Sequence, residues 1–417
     1  MTLPFFDFEK FRAGFEHHTE SLAADESAPP IHPGELASLN RALRRLANKQ
    51  AEVHQEDGDL EAMLALDDED ASLLQSFLAE EVLAGAAPPP TIDGREVKFD
   101  ENDLFGWARS LFSWRRRKRH EWLAHPGDPV QIPDHARVAI VGDWGTGRYG
   151  AVPCARTIAG TTPAYDGVIH LGDVYYSGTP KEVQRHFLDV WPDVPTAIHR
   201  ACNSNHEMYA GGFGYFDLTL PQFKQAASYF CLENGHVRIL GLDTGYVEGD
   251  LAGAQAAWAA ELVASAGHRH VILLSHHQPY SLREKNYTAL TDRLRPLLDS
   301  GRIFAWYWGH EHRCVMFDPH PTWKLHGRCI GHSGYPYFRD KFKHDAAKVN
   351  SDGSCWYRET RDGSPAGFIL DGENPHVADK ASKYGPNGFA ALELTPTAIV
   401  ERILSADGAE LWLAKLH

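Results

Sequence analysis

The sequence predicts a layered α/β domain that follows a helical accessory region. Up to about residue 128, apolar residues recur at helical spacing in an acidic background. Beyond Pro133, short apolar strands alternate with helices, which is typical of layered α/β folds. The 417 residues have room for both parts, because single cores stop growing at roughly 250–300 residues. We therefore predict an accessory region at 1–128 and a large domain at 129–417.

The accessory region carries two helical patterns and one basic cluster. The helical patterns run from Leu36 to Ala51 and from Leu60 to Leu83, and a proline-rich stretch at 86–91 ends the second. The segment 110–122 combines aromatic residues with a basic run, so it is either a contact for anionic membranes or nucleic acid, or a solvated helix face. The second interpretation is favoured, because one short cluster is weak support in an acidic chain. The region remains a candidate interaction module.

The large domain begins with alternating strands and helices and ends with three strands. The predicted strands are 137–142, 167–171, 196–200, 237–242, 270–275 and 303–309. The predicted helices are 151–159, 181–190, 254–266 and 288–298. The segments 389–394, 399–404 and 411–416 are predicted to be antiparallel strands with a turn at Asp407-Gly408. This mixture predicts a core sheet or sandwich.

Composition narrows the class of protein. The 56 acidic residues outnumber the 41 Lys and Arg, and the formal charge of −15 argues against a general nucleic-acid-binding surface. Six cysteines are scattered without a Cys-x-x-Cys pair, so neither a zinc knuckle nor a disulfide framework is indicated. The first residues lack the basic patch and apolar run of a signal peptide, and no window approaches the roughly 20 apolar residues of a membrane span. We expect a cytoplasmic protein.

Five segments rich in Asp, Asn, Tyr and His lie where predicted strands end, the place where open α/β folds build their sites. They are VAIVGDWG (138–145), VIHLGDVYY (168–176), CNSNHE (202–207), VILLSHHQP (271–279) and WYWGHEH (306–312). Each alone has a plainer explanation, since a Gly-Asp after a strand is usually a turn. Five such loops in one domain are far less easily explained by chance.

The side chains of these segments favour a pair of metal ions. Carboxylate, amide and imidazole groups suit Mn, Fe or Zn, whereas thiolate sites would need cysteines. Six or seven ligands are too many for one tetrahedral ion and suit two ions that share a carboxylate. Such a pair, about 3.5–4 Å apart, holds the attacking and leaving oxygens of a displacement at phosphorus.

The order Gly-Asp-x-Gly, Gly-Asp-x-x-Tyr, Asn-His-Glu, strand-then-His and Gly-His-x-His resembles the calcineurin-like metallophosphoesterase superfamily. With Gly145 after the first Asp and Tyr176 after the second, the pattern is most similar to the purple acid phosphatase branch. The resemblance covers about 136–417 and implies a four-layer α/β/β/α sandwich, with the N-terminal helical region outside it.

The resemblance also implies a ligand set. The first metal would be held by Asp143, Tyr176 and His312, the second by Asn205, His276 and His310, and Asp173 would bridge both. Two positions stay open: the Gln278-Pro279 spacing leaves His277 as an alternative to His276, and Tyr175 rivals Tyr176. A tyrosinate ligand would favour ferric iron in the first site.

Three further residues enter through the resemblance. His206, together with His277, would stabilise charge on the leaving oxygen, and Glu207 would orient the His206 imidazole. The family has glycine where this chain has Ser204, and a glycine there tolerates positive φ and close approach to a ligand. Ser204 is therefore expected to reshape the turn or to lower activity.

The predicted activity is hydrolysis of phosphate esters by a metal-bridging hydroxide, with a phosphomonoesterase preferred. The substrate would be a small phosphate ester or a phosphoprotein. Two alternatives remain: a phosphodiesterase of cyclic nucleotides, glycerophosphodiesters or nucleic-acid ends, and a binding or scaffold protein on the same fold. The loops 208–228 and 335–388 would set specificity, and the second either caps the cleft or extends the sheet.

Overall fold

The computed structural model describes residues 33–57, 67–84, 91–92, 95–96, 119–377 and 380–417. The chain divides into two compact units. The first is Met1–Arg119 with Tyr209–Gly211, and the second is His120–Met208 with Gly212–His417. Within the described residues, no helix combines the length and the apolar character that crossing a membrane requires.

The first unit contains two helices that pack against each other, Pro33–Asp57 and Glu69–Ala84. Leu39, Leu43 and Leu46 are buried along one stripe of the first helix, as the helical spacing predicts. Strands β1 (Thr91–Ile92) and β2 (Arg95–Glu96) form an antiparallel pair. The start of the second predicted helix and most of the basic cluster at 110–122 lie outside the described residues.

The smaller sheet of the second unit has six strands in the order β18-β17-β16-β4-β5-β6. Strands β4, β5 and β6 are parallel, and β16 pairs antiparallel with β4. The turn between β17 and β18 contains Gly408 at φ 90°, where only glycine is unstrained. The bounds are β4 Ala136–Val141, β5 Gly167–His170, β6 Ile198–Ala201, β16 Gly388–Thr395, β17 Ala398–Ser405 and β18 Glu410–Lys415.

The larger sheet has ten strands in the order β13-β14-β15-β11-β12-β10-β9-β8-β7-β3. Strands β8, β9, β10 and β12 are parallel to one another. The segment 335–388 supplies β13, β14 and β15, so most of its regular structure extends the sheet. The bounds are β3 Val130–Gln131, β7 Phe230–Glu233, β8 Val237–Gly241, β9 His270–Ser275, β10 Ile303–Trp308, β11 Cys314–Phe317, β12 His326–Ile330, β13 Lys348–Val349, β14 Cys355–Glu359 and β15 Gly367–Asp371.

Helices cover the outer faces of both sheets. The helices Gln255–Ala264 and Thr288–Asp299 pack on the larger sheet, and Ala151–Gly160 and the turn Val183–Phe187 pack on the smaller one. Shorter helical segments are Pro180–Glu182, Leu188–Val190, Asn205–Tyr209, Tyr215–Thr219, Leu220–Gln222 and Ala381–Lys383.

The inner faces of the two sheets share one apolar core, which contains Ile140 and Ile403 from the smaller sheet and Ile239 and Ile272 from the larger. Helices, two sheets and helices therefore form four layers, which confirms the predicted α/β/β/α sandwich. Helices cover the outer face of each sheet, and the shared core covers the inner face. The parallel strands are therefore buried on both sides, which is why they are continuous apolar stretches in the sequence.

Candidate metal centre

Two groups of potential metal ligands meet at the carboxyl ends of the parallel strands. In each group the ligand atoms lie within 4.8 Å of one another, and the groups are Asp143, Asp173 and His312, and His276, His277 and His310. Asp143 follows β4, Asp173 follows β5, and His276 follows β9 directly. Residues that are far apart in the chain meet here because all their strands end at the same edge of the sandwich.

The second group gathers around one ring nitrogen of His276. Its Nε2 lies 3.0 Å from Asn205 Oδ1, 3.1 Å from His310 Nδ1 and 3.2 Å from Asp173 Oδ1. The opposite nitrogen, Nδ1, lies 3.0 Å from the carbonyl oxygen of Leu171. A proton on Nδ1 that donates to this carbonyl leaves the lone pair of Nε2 directed at the other three atoms, which is the usual support of a metal-binding imidazole.

The first group joins two buried carboxylates and one histidine. His312 Nε2 lies 3.9 Å from Asp143 Oδ1 and 3.8 Å from Asp173 Oδ2. Asp143 Oδ1 also accepts a hydrogen bond of 3.0 Å from the backbone N–H of His310, so the two strand-end loops hold each other. Asp173 thus turns Oδ1 toward the second group and Oδ2 toward the first.

The pKa values of the two aspartates are shifted in opposite directions. Burial raises the pKa of Asp143 well above its usual range, and the neighbouring Asp173 carboxylate raises it further. Burial also acts to raise the pKa of Asp173, but His276 and His206 outweigh it and hold that pKa well below its usual range. Burial lowers the pKa of His276 to about 3, so its imidazole is neutral at pH 7.

These residues fit a cation site. Among the described residues, Asp143 Oδ2, Asp173 Oδ1 and His277 Nε2 are buried and have no hydrogen-bond partner. A buried carboxylate oxygen without a partner is costly unless a cation balances its charge. Neutral imidazoles and carboxylates are the ligands that Mn, Fe and Zn share.

The backbone at the site is strained in a way that suits a functional centre. Asp143, Asp173, His310 and His312 have φ angles of 55°, 78°, 70° and 49°, a region that residues with a Cβ rarely adopt. Close packing accompanies this strain, since a Cβ on Gly331 would lie 2.3 Å from Asp143 Oδ2. Glycine is therefore required beside that carboxylate.

Of the two neighbouring tyrosines, the structure brings Tyr175 into the ligand group. Its hydroxyl donates a hydrogen bond of 2.9 Å to Asp173 Oδ2 and also contacts His312 Nε2. Burial is the main cause that raises the pKa of the Tyr176 phenol, and the nearby Tyr149, Glu182 and Tyr335 raise it further.

The loop after Asp173 is held by a buried glutamate. Glu182 accepts hydrogen bonds from the backbone N–H groups of Tyr176, Ser177 and Thr179, at 2.7, 3.1 and 3.0 Å. Thr179 caps the helix that begins at Pro180, and Glu182 completes a capping box with it. This network fixes which way the side chains of the loop project.

His206 is oriented by a backbone carbonyl. Its Nδ1 lies 2.6 Å from the Tyr176 carbonyl oxygen, and its ring centre lies 4.2 Å from that of Tyr175. Glu207 was expected to orient the His206 imidazole, but its contacts are with other groups. Its Oε2 accepts a hydrogen bond of 3.1 Å from the Asp173 N–H and contacts the Ser204 hydroxyl. Burial and the nearby Asp173 carboxylate raise the pKa of Glu207 to about 8.

The structure also places His277 at the second group. Its Nδ1 lies 2.9 Å from Thr244 Oγ1, and its ring centre lies 4.6 Å from that of His310. Tyr287 contacts both histidines, with its hydroxyl 3.3 Å from His310 Nε2. Sequence reasoning missed Thr244 and Tyr287, although Thr244 follows the predicted strand 237–242 and could have been found as a sixth strand-end loop.

Solvent reaches this centre beside His312. The side chain of His312 is 22% exposed, whereas those of Asp143 and His276 are completely buried. Tyr335, from the segment 335–388, packs its ring 4.2 Å from His312 and 5.3 Å from Tyr175. One residue of that segment therefore lines the opening, while its strands extend the sheet.

Residues 136–314 match the model of the calcineurin-like phosphoesterase family. Together with the site geometry, this match shows that the segment containing both ligand groups is similar to the calcineurin-like phosphoesterases.

Three solved structures show distant similarity to this chain. A purple acid phosphatase from seeds of yellow lupin (Lupinus luteus) is 14% identical over 70% of this chain and 54% of that one, with a TM-score of 0.49. PhoD is 12% identical over 70% of each chain, with a TM-score of 0.42. A dimetal phosphatase from Danio rerio is 12% identical over 70% of this chain and 100% of that one, with a TM-score of 0.41. The chain spans 54% of the length of the lupin enzyme. No curated protein matches the sequence.

Proposed function

We propose that this protein hydrolyses phosphate monoesters at a centre of two metal ions, with residues 129–417 as the catalytic domain and 1–128 as an accessory region. One observation carries the proposal: the two oxygens of Asp173 face different ligand groups. Oδ1 lies 3.2 Å from His276 Nε2, and Oδ2 lies 3.8 Å from His312 Nε2. A carboxylate in this position is suited to bridge two ions.

The ligand assignment follows from these contacts. The second ion would be held by Asn205, His276 and His310, with His277 Nε2 as a neighbouring donor. The first would be held by Asp143 and His312. We assign the tyrosine position to Tyr175 and not to Tyr176, because the Tyr175 hydroxyl meets Asp173 and His312. If that tyrosine binds as tyrosinate, ferric iron is the preferred metal there.

Two cations at these positions would supply Lewis-acid activation of a water molecule and of the phosphoryl oxygens. The protein residues do the rest. Asp173 holds the two ligand groups in register, and the Nδ1–H of His206 donates to the Tyr176 carbonyl, which orients the ring. In its imidazolium form His206 would carry a second proton, on Nε2, for the leaving oxygen. The neutral imidazole of His277 lies beside His310.

A terminal phosphoryl group fits this centre best. Solvent reaches the centre beside one partly exposed ligand, His312, and the Tyr335 ring packs against that ligand. A phosphate monoester presents its phosphorus at the end of the molecule, whereas a diester must place groups on both sides of it. A phosphorylated metabolite or protein side chain is the substrate class that this shape favours.

The test compares hydrolysis of p-nitrophenyl phosphate with that of bis-p-nitrophenyl phosphate, with Mn²⁺ supplied. We expect the monoester to be preferred and Asp173→Asn to lose about 10³-fold or more in kcat, because electrostatic stabilisation at such centres is commonly of this size. Asp318→Asn, which alters an exposed ion pair with Arg358, is the matched control and should retain activity. Preference for the diester would refute the monoesterase proposal, and full activity of Asp173→Asn would refute the metal mechanism.

A further inference from the structure

Ser204 occupies the centre of a hydrogen-bond group next to the second ligand group. Its Oγ accepts the backbone N–H of His206 at 3.1 Å and that of Glu207 at 3.4 Å. The residue directly precedes the helix Asn205–Tyr209 and therefore caps its N-terminus. The sequence Ser-x-x-Glu is that of a capping box, but here the glutamate carboxylate meets the serine hydroxyl itself.

Glu207 connects this cap with the loop that carries Asp173. The same oxygen, Oε2, contacts the Ser204 hydroxyl and accepts the Asp173 N–H at 3.1 Å. Ser204, Glu207 and Asp173 are all at most 1% exposed. One carboxylate oxygen thus ties the loop after β5 to the loop after β6.

Two glycines provide the space that the serine needs. A Cβ on Gly172 would lie 2.8 Å from the Ser204 Cβ, and a Cβ on Gly245 would lie 2.5 Å from the Ser204 backbone. Residue 204 is therefore closely packed on two sides, at its Cβ and at its backbone.

We propose that Ser204 and Glu207 form a clamp that positions two donors of the second metal. The clamp consists of the contacts that the Ser204 hydroxyl and the Asp173 N–H make with Glu207 Oε2. The clamp holds Asp173 through its backbone and Asn205 through the start of its helix. A glycine at 204, as in the family pattern, has no hydroxyl and cannot form it. Ser204 and Glu207 are thus positioning residues for metal binding, and the proposal rests on the proposed function.

The experiment titrates metal-stripped protein with Mn²⁺ by calorimetry and records the melting temperature without metal. We expect Ser204→Ala and Glu207→Leu, which remove the hydroxyl and the acceptor respectively, each to weaken Mn²⁺ binding about 10-fold or more, because outer partners of metal ligands commonly contribute 10–100-fold. Since both substitutions break the same clamp, their effects should not add. The double variant should bind Mn²⁺ with an affinity no lower than that of the single variant with the lower affinity. Ser354→Ala is the matched control, since Ser354 is a buried serine that donates to a carboxylate, Asp352 Oδ1, at 2.6 Å.

The outcomes separate this inference from the function it rests on. Wild-type protein that binds no Mn²⁺ would overturn the proposed metal centre. Wild-type protein that binds Mn²⁺, beside a folded Ser204→Ala variant of equal affinity, would overturn the clamp alone. A lower melting temperature with unchanged Mn²⁺ affinity would also overturn it, since the hydroxyl would then act only as a helix cap. If Ser204→Ala does not fold, Glu207→Leu decides by the same criterion.

Discussion

The hydroxyl of Tyr175 donates a hydrogen bond of 2.9 Å to Asp173 Oδ2. Its position two residues after Asp173, and not three, reflects how the loop is held: Glu182 fixes the backbone N–H groups that follow, and His186 Nδ1 lies 2.8 Å from the Tyr175 carbonyl. The phenol of Tyr175 is therefore directed at the ligand group, whereas the phenol of Tyr176 lies near Tyr149, Glu182 and Tyr335.

Substitution of the two tyrosines should have unequal effects. Tyr175→Phe removes the hydroxyl next to Asp173 and His312, so we expect kcat to fall about 10-fold or more and any tyrosinate–iron absorption to vanish. Tyr176→Phe should leave the visible spectrum unchanged. Kinetics and visible absorption of iron-loaded protein are the measurements, and loss of the absorption band only in Tyr176→Phe would contradict the assignment of Tyr175.

The two adjacent histidines should differ in metal content. His276 Nε2 lies close to Asn205, His310 and Asp173. The His276→Ala variant should therefore lose the second metal. Since the full complement is two ions, it should retain about half of the bound metal. His277→Ala should keep both metals and lower kcat. Elemental analysis after dialysis measures this directly, and a full metal complement in His276→Ala beside a halved one in His277→Ala would reverse the assignment.

A buried ion pair links the two sheets and should contribute to stability. Arg328 Nε, on β12, donates to both carboxylate oxygens of Glu401, on β17, at 3.0 and 2.8 Å, and the Tyr307 hydroxyl donates to Glu401 Oε1 at 2.6 Å. Glu401→Gln leaves the guanidinium buried without its counter-charge, so we expect a loss of about 3–5 kcal/mol in the free energy of unfolding.

Urea unfolding measures that loss, and an exposed pair provides its control. Asp318→Asn removes the charge that pairs with Arg358. The side chains of Arg358 and Asp318 are 44% and 42% exposed, so the substitution should lower the free energy of unfolding by less than about 1 kcal/mol. Equal effects of the two substitutions would show that the buried pair contributes no more than a surface pair does.

The pair of Asp250 and Arg293 should make stability depend on pH. Two hydrogen bonds of 2.6 Å from the Arg293 guanidinium hold the pKa of Asp250 below its usual value. A lowered folded-state pKa contributes stability above the unfolded pKa of about 3.9, and this stability is lost as the pH falls through the folded value. Asp250→Asn should therefore be less stable than wild type at pH 7, by about 0.5–1 kcal/mol. Thermal unfolding between pH 7 and pH 3 measures the difference, and one that grows toward acid would contradict this sign.

Much of the fold follows from local pattern. The strand at 270–275 was predicted with the bounds that the structure shows, and the turn at Gly408 and the strands around it follow from alternation and turn chemistry. The segment 335–388 was harder to predict. Its strands β14 and β15 have five residues each, and β15 joins the sheet through its pairing with the distant β11, while β14 pairs with β15.

The sequence by itself determined which residue types stand at the ends of the strands and in which order, because apolar runs and the loops that end them are local features. Only the tertiary structure decided which of two neighbours projects into the centre, Tyr175 or Tyr176. It also decided that Ser204 caps a helix and meets Glu207, and that Asp173 faces both ligand groups. The direction of a side chain in a loop depends on backbone angles, and segments that are distant in the sequence impose those angles. The pairing of β16 with β4 is an example of such distant partners, which no local pattern in the sequence reveals.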